Sequence, residues 1–356
     1  MAHQLAFIVE PIKDWKINVE LNYRSNYNFN HTDYQTVYGY DVSKNPYIIA
    51  NQTSSVTEYA YKSNFFNPNI FTEYGKSLES GHNFKVMLGF QSELFKQRDI
   101  TASQDGIMSE VATLNTTQTN AQNRGGYSEW ATAGFFGRVN YDWKERYLFT
   151  FSLRHEGSSR FGENHKWGNF PAVSVGWRIS DEKFMKGLSW IDDLKVRYDY
   201  GVTGNQEIGN YNSLATYRAF GWYQYNGNRF HVWGPSKNTN SELRWEKGHN
   251  QNVGLDFSLF SHKVTGSFNY FHRKQSDLLG DYSVPVPPNL FSTIYTNVGT
   301  LRNTGFELDV TVNAVRTKDF TYSFTLVGAT NNNKFVSFSN DIYKGQKYYS
   351  TCSMAN

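Results

Sequence analysis

Two parities of side chain alternate along much of this chain, and the alternation comes in pairs of segments joined by a short polar turn. In the clearest pair Phe135, Gly137, Val139 and Tyr141 share one parity, while Phe136, Arg138 and Asn140 share the other. Beyond a turn at 143–146, Tyr147, Phe149, Phe151 and Leu153 alternate with Leu148, Thr150, Ser152 and Arg154. Successive strand side chains point to opposite faces, so each segment predicts a strand with one apolar and one polar face. Six such pairs give about twelve strands. Besides 135–154, they cover 3–9 with 15–23, 58–74 with 84–94, and 173–179 with 194–202. The last two pairs are 253–259 with 264–270 and 306–312 with 320–326. Short turns at 260–263 and 317–319 contrast with long irregular segments at 24–55, 96–129, 155–170, 203–244, 273–304 and from 331 onward. Crossing a bilayer at a tilt takes about 9–11 residues per strand, and these segments fit. Short turns at one end and long connections at the other predict an all-β, transmembrane antiparallel β-barrel with periplasmic turns and extracellular loops.

Composition supports lipid outside rather than a protein core. Hydrophobic residues make up only 39% of the 356 residues, yet aromatics reach 17%. A soluble aromatic-rich sandwich or propeller is the rival, but it needs more Leu, Ile and Val to fill its interior. Tyr and Trp at headgroup level suit a barrel wall better. No apolar run is long enough for a membrane helix. The first ten residues carry no recognisable signal peptide, although a barrel of this kind must be exported. The chain is therefore expected to be a slice of a larger cylinder, without signal peptide, plug or closing strands.

Little in the sequence points to catalysis. The nine histidines show no zinc spacing, no GxSxG elbow occurs, and Cys352 has no histidine near it in sequence. The GKS at Gly75–Ser77 lacks the first glycine of a phosphate loop, because Ile70 stands there. No enzyme activity, metal or cofactor is expected. A net charge of +3, scattered along the chain, does not build a nucleic-acid face.

From about residue 126 to 336 the segments become distinctive. They read FFGRVNYDWKERYLFTFSLRHEGSSRFG from Phe135, WGNFPAVSVGWRIS from Trp167, YGVTGNQEIGNY from Tyr200 and ELRWEKGHNQNVGLDF from Glu242. QSDLL from Gln275, NVGTLRNTGFEL from Asn297 and KDFTYSF from Lys318 follow in order, and GHNFKVMLGFQSE from Gly81 precedes them. In order and spacing they resemble the SusC/RagA family of TonB-linked outer-membrane transporters. The resemblance implies a single barrel domain covering 1–356, as part of a cylinder of roughly 22 strands around a plug. It also implies import of oligosaccharides or oligopeptides, a TonB complex acting through the missing N-terminal region, and a SusD-like surface lipoprotein as lid. A passive porin or a surface-binding adhesin barrel is the alternative from another class.

Candidate site residues fall in two groups. On the polar parity Lys195, Arg197, Asp199, Asn252, Asp256, Glu307 and Asp309 are expected to line the lumen. In the loop 220–235, Trp222, Tyr223, Tyr225, Arg229 and Trp233 offer flat aromatic faces and polar donors suited to a ligand. Packing on neighbouring loops or on the lid suits the same loop better still. Gly157, Gly201 and Gly204 are expected at strand exits needing positive φ, and Arg160 as a loop brace. Ser276 and Asp277 are expected to cap a turn, the Pro-rich 284–289 to be a stiff loop, and Cys352 to lie in an extracellular loop.

Overall fold

A computed structural model describes residues 1–337, and the expectation for Cys352 lies outside them. In chain order the strands are β1 (Ala2–Ile12), β2 (Trp15–Tyr34), β3 (Val37–Tyr40), β4 (Pro46–Ala50), β5 (Ser55–Ser77), β6 (His82–Ile107) and β7 (Thr117–Trp143). Then follow β8 (Tyr147–Ser158), β9 (Trp167–Arg178), β10 (Ile191–Asn205), β11 (Tyr217–Tyr225), β12 (Asn228–Pro235) and β13 (Glu246–Leu259). The remainder are β14 (Val264–Ser276), β15 (Leu279–Ser283), β16 (Thr293–Asn297), β17 (Thr300–Arg316), β18 (Thr321–Ala329) and β19 (Asn332–Ser337).

One sheet runs β1-β2-β5-β6-β7-β8-β9-β10-β13-β14-β17-β18, each strand beside its nearest predecessor. Among the described residues it does not close on itself. β19 pairs with β17 in the same register as β18, since Glu307 faces Ala329 and Thr304 faces Asn332. β18 and β19 therefore occupy one position, interrupted at Thr330, whose amide donates to the Phe306 carbonyl. The twelve expected strands are all present. Beside them stand three two-stranded ribbons, β3–β4, β11–β12 and β15–β16, within the long connections.

Turn chemistry sets the strand-to-strand steps. Lys144 and Glu145 adopt φ of 53° and 56°, and Phe260, Ser261 and His262 all lie near 60°. Three consecutive non-glycine residues in the left-handed region are costly unless the ladder on either side holds them. Here the Asp192 carboxylate accepts the His262 amide at 2.8 Å, and the His262 ring meets Ser258 Oγ at 2.7 Å.

Two polar stretches read as irregular are in large part strand. β2 runs on to Tyr34, β6 to Ile107, and β7 begins at Thr117, giving lengths of 20, 26 and 27 residues. Past the apolar band both faces of a strand are wet, so hydrophobic alternation vanishes while the ladder of backbone bonds continues.

The residues group into two compact units. One comprises Met1–Phe7, Val19–Asn69 and Ser92–Ala131; the other comprises Ile8–Asn18, Ile70–Gln91 and the chain from Thr132 on. The second unit holds two buried apolar clusters, both at the connection end of its strands. Phe161, Phe170, Val202, Ile208, Leu243 and Trp245 form the larger, and Tyr282, Val284 and Val298 the smaller.

Gly157, Gly201 and Gly204 correct the expectation made for them. None has positive φ, a property found at Gly81, Gly106, Gly221, Gly227 and Gly299. A Cβ at Gly157 would meet the Trp167 ring at 2.9 Å, and one at Gly204 would strike the rings of Phe170 and Trp245. At Gly157 and Gly204 the missing side chain makes room for aromatic rings, whereas a Cβ at Gly201 would meet only the Ala172 Cβ, at 3.4 Å.

Candidate functional site

The two faces of the sheet differ in chemistry, and the register places each side chain. Across β10, β13, β14 and β17, Lys195 faces Asp256, Asp256 faces Ser267, and Ser267 faces Asp309. One row along, Arg197 faces Gly254 and Gly254 faces Asn269; Asp199 faces Asn252 in the next. Lys195, Arg197, Asp199, Asp256 and Asp309 thus share one face. The first four form a network: Lys195 Nζ lies 3.2 Å and Arg197 Nε 3.3 Å from Asp256 Oδ2, and Arg197 Nη1 lies 3.3 Å from Asp199 Oδ2. Arg197 also donates to Asn269, and Ser174 to Asp199. Asp309 stays outside this network. Gly254 was not singled out from sequence, yet a Cβ there would sit 2.7 Å from the Arg197 guanidinium. Its absence lets the guanidinium lie across the strand.

Apolar rows cover the other face. Tyr147, Trp177, Val196, Leu255, Phe268 and Leu308 follow one another across six strands. Phe149, Val175, Tyr198, Val253, Tyr270 and Phe306 form the adjacent row, and Phe306 remains 48% exposed. Near the short turns the row ends in rings with polar tips. Tyr147 Oη and Trp177 Nε1 both donate to Glu182 Oε1, at 2.6 and 3.2 Å. The Tyr147 bond, then that of Trp177, holds the Glu182 carboxyl below its ordinary pKa.

At the opposite end of the second unit, the distinctive sequence strings converge. Trp245 packs against Phe161 at 5.0 Å between centroids and edge-on to Phe170 at 5.1 Å. Its Nε1 donates to the Lys166 carbonyl at 2.8 Å. Arg160 braces the 206–210 segment, giving Nε to Asn210 Oδ1 and Nη1 to the Gln206 carbonyl, each at 3.0 Å. Burial lowers its pKa, and the charge of Glu207 opposes that shift. Buried Asn297 ties three segments: its amide donates to the carbonyls of Arg244 and Asp277, and its oxygen accepts the Arg244 amide. Asp277 adopts φ 58° and takes an ion pair from Arg244 at 2.7 Å, while Ser276 donates to the Lys247 carbonyl. Sequence reasoning found Arg160, Ser276 and Asp277 but not Leu243, Trp245, Glu246 or Asn297. A lone Leu-Arg-Trp within a long polar connection was the available signal.

The aromatic segment 220–235, read as a loop, is a β-ribbon. Asn226 and Gly227 take φ of 48° and 77° at its tip, the pairing that a two-residue type I′ hairpin turn requires. Asn226-Gly227 is the sequence signal for this hairpin. Trp222 faces His231, with ring centroids 3.7 Å apart, and Gln224 faces Arg229. Alternation therefore places Trp222, Arg229 and Trp233 on one side, and Tyr223 and Tyr225 on the other. Trp222 and Trp233 remain 61% and 65% exposed. The five candidates are brought together on one ribbon but not on one face.

Residues 4–351 match a family model described as TonB dependent receptor-like, beta-barrel. TonB-dependent receptor P39 of Formosa agariphila is 35% identical over 287 residues, covering 78% of this chain and 26% of the relative. TonB-dependent receptor SusC of Bacteroides thetaiotaomicron is 32% identical over 303 residues, covering 83% of this chain and 29% of the relative. The RagAB peptide importer in its open-open state superposes with a TM-score of 0.84 at 25% identity, covering 99% of this chain and 38% of that one. The chain spans little more than a quarter of the length of these curated relatives.

Proposed function

Because the chain belongs to the TonB dependent receptor-like β-barrel family, we propose that it forms wall and external loops of an energised outer-membrane importer. The whole protein would take up oligosaccharides or oligopeptides, with a TonB complex pulling from the periplasm and a SusD-like lipoprotein covering the outer mouth. No bond is made or broken. The observation that carries this reading is the two-faced sheet. Its apolar rows are exposed, as a lipid-facing wall requires, and its opposite face carries charges that neutralise one another, as a wet lumen tolerates. Lys195, Arg197, Asp199, Asp256 and Asp309 are accordingly assigned to the lumen.

The β11–β12 ribbon is the element offered to the solute or the lid. Exposed Trp and Tyr faces beside Arg229 and Gln224 suit a sugar ring or a peptide, and rigid aromatics also anchor protein partners. Uptake of a glycan and peptide panel by cells producing the full-length protein tests both points. Uptake should cease when TonB is removed. Replacing Trp222, Tyr223 and Trp233 together by Ala should reduce uptake or lipoprotein retention at unchanged membrane abundance. TonB-independent uptake would identify a passive pore instead, and wild-type uptake and retention in the triple variant would reduce the ribbon to filler.

A further inference from the structure

The first unit contains a cleft of about 670 Å³ bordered by Tyr27, Lys62, Arg98, Ile100 and Tyr127. Parity fixes which face most of these residues share. On β6 the parity of Phe84, Leu88 and Leu94 continues into Lys96, Arg98 and Ile100. On β5 the parity of Phe66, Ile70 and Tyr74 includes Lys62, and on β7 that of Phe135 and Val139 includes Tyr127. Tyr27 likewise follows Trp15, Ile17 and Tyr23 on β2. Along four successive strands, then, the apolar parity gives way to cations and tyrosines toward the long-connection end.

Two of the cations lack an acidic partner. Lys96 pairs with Glu129 at 3.5 Å, whereas among the described residues Lys62 and Arg98 enter no ion pair. The Arg98 guanidinium instead lies over the Tyr127 ring, 5.2 Å from its centroid. The carboxylate of Asp99, which also borders the cleft, falls on the opposite parity and would be struck by a Cβ at Gly126. It does not neutralise Arg98 on the shared face.

We propose that this cleft holds the phosphate of an anionic glycolipid in the outer leaflet. A planar guanidinium and an ammonium on one face match phosphate oxygens by charge-assisted hydrogen bonds. Tyrosines belong at headgroup level, where an apolar body and a polar tip are both satisfied. Basic side chains immediately beyond a lipid-facing band are where a negatively charged membrane surface is met. The inference rests on the outer-membrane reading above and on the long connections being external.

Native mass spectrometry of the full-length protein in detergent, titrated with diphosphoryl lipid A, tests it. Lys62→Ala with Arg98→Ala should weaken binding by about thirtyfold, as two basic contacts at an anionic surface imply, while Lys76→Ala leaves it unchanged. If the alanine pair fails to fold, Lys62→Gln with Arg98→Gln replaces it. Dephosphorylated lipid A should bind the wild type and the double variant equally weakly. Equal affinity of wild type and double variant for diphosphoryl lipid A, or of the wild type for both lipids, overturns the proposal. Inorganic phosphate binding as tightly as the lipid overturns the lipid assignment. Sidedness is checked separately in a cysteine-free background. An impermeant maleimide should label Asn228→Cys on intact cells and spare Lys318→Cys; the reverse pattern sinks the topology rather than the phosphate contact.

Discussion

Trp245→Ala in the full-length protein is expected to lower stability by about 3–5 kcal/mol, the usual cost of deleting a buried large aromatic. Trp245 is only 3% exposed and is flanked by Phe161, Phe170 and the backbone at Gly204. Truncation opens a cavity that these neighbours cannot fill, because Gly168 and Gly204 bring only backbone to the rings. It also removes one of the two donors to the Lys166 carbonyl, which keeps only the Ser158 amide at 3.0 Å. The loss should show as a lower unfolding midpoint in detergent and as faster protease cleavage in 159–166 and 206–216. Trp222→Ala deletes the same side chain from an exposed site and should leave the midpoint where it was. Equal midpoints for wild type and Trp245→Ala would remove the cluster from its role as organiser of the connections.

The twelve sheet strands were legible because one face of each carries an apolar parity that solvent-exposed turns interrupt. Phe135 to Tyr141 and Tyr147 to Leu153 name their own faces, and even the neighbour relation follows from the short turn between them. What extends beyond the apolar band left no trace in hydrophobicity. Residues 117–131 are strand without hydrophobic alternation, and their side chains, Thr, Gln, Asn, Arg and Gly among them, read like a loop. The polar face was legible as a set but not as a network. That Lys195 and Arg197 both meet Asp256 depends on register, which fixes Lys195 opposite Asp256 and Gly254 opposite Arg197. Glycine was the least legible residue. At Gly227 it serves φ, at Gly157 and Gly204 it makes room for rings, and at Gly254 it makes room for a guanidinium.

Position 196 gives the sharpest test of the two faces. Val196 sits between Trp177 and Leu255 in an apolar row, and Arg197, its neighbour in sequence, points to the opposite face. Placing a charge on a lipid-facing side chain costs about 2–4 kcal/mol near the bilayer midplane and far less toward either interface. Val196→Arg should therefore destabilise the full-length protein by about that amount in a folding titration in lipid vesicles. Arg197→Ala removes a cation from a half-exposed network in which Lys195 still holds Asp256, so its cost should stay near ~1 kcal/mol or below. Ordering of the pair is the decisive outcome. If Arg197→Ala costs as much as Val196→Arg, β10 does not separate lipid from lumen, and the assignment of Lys195, Arg197, Asp199 and Asp256 to a wet interior falls with it.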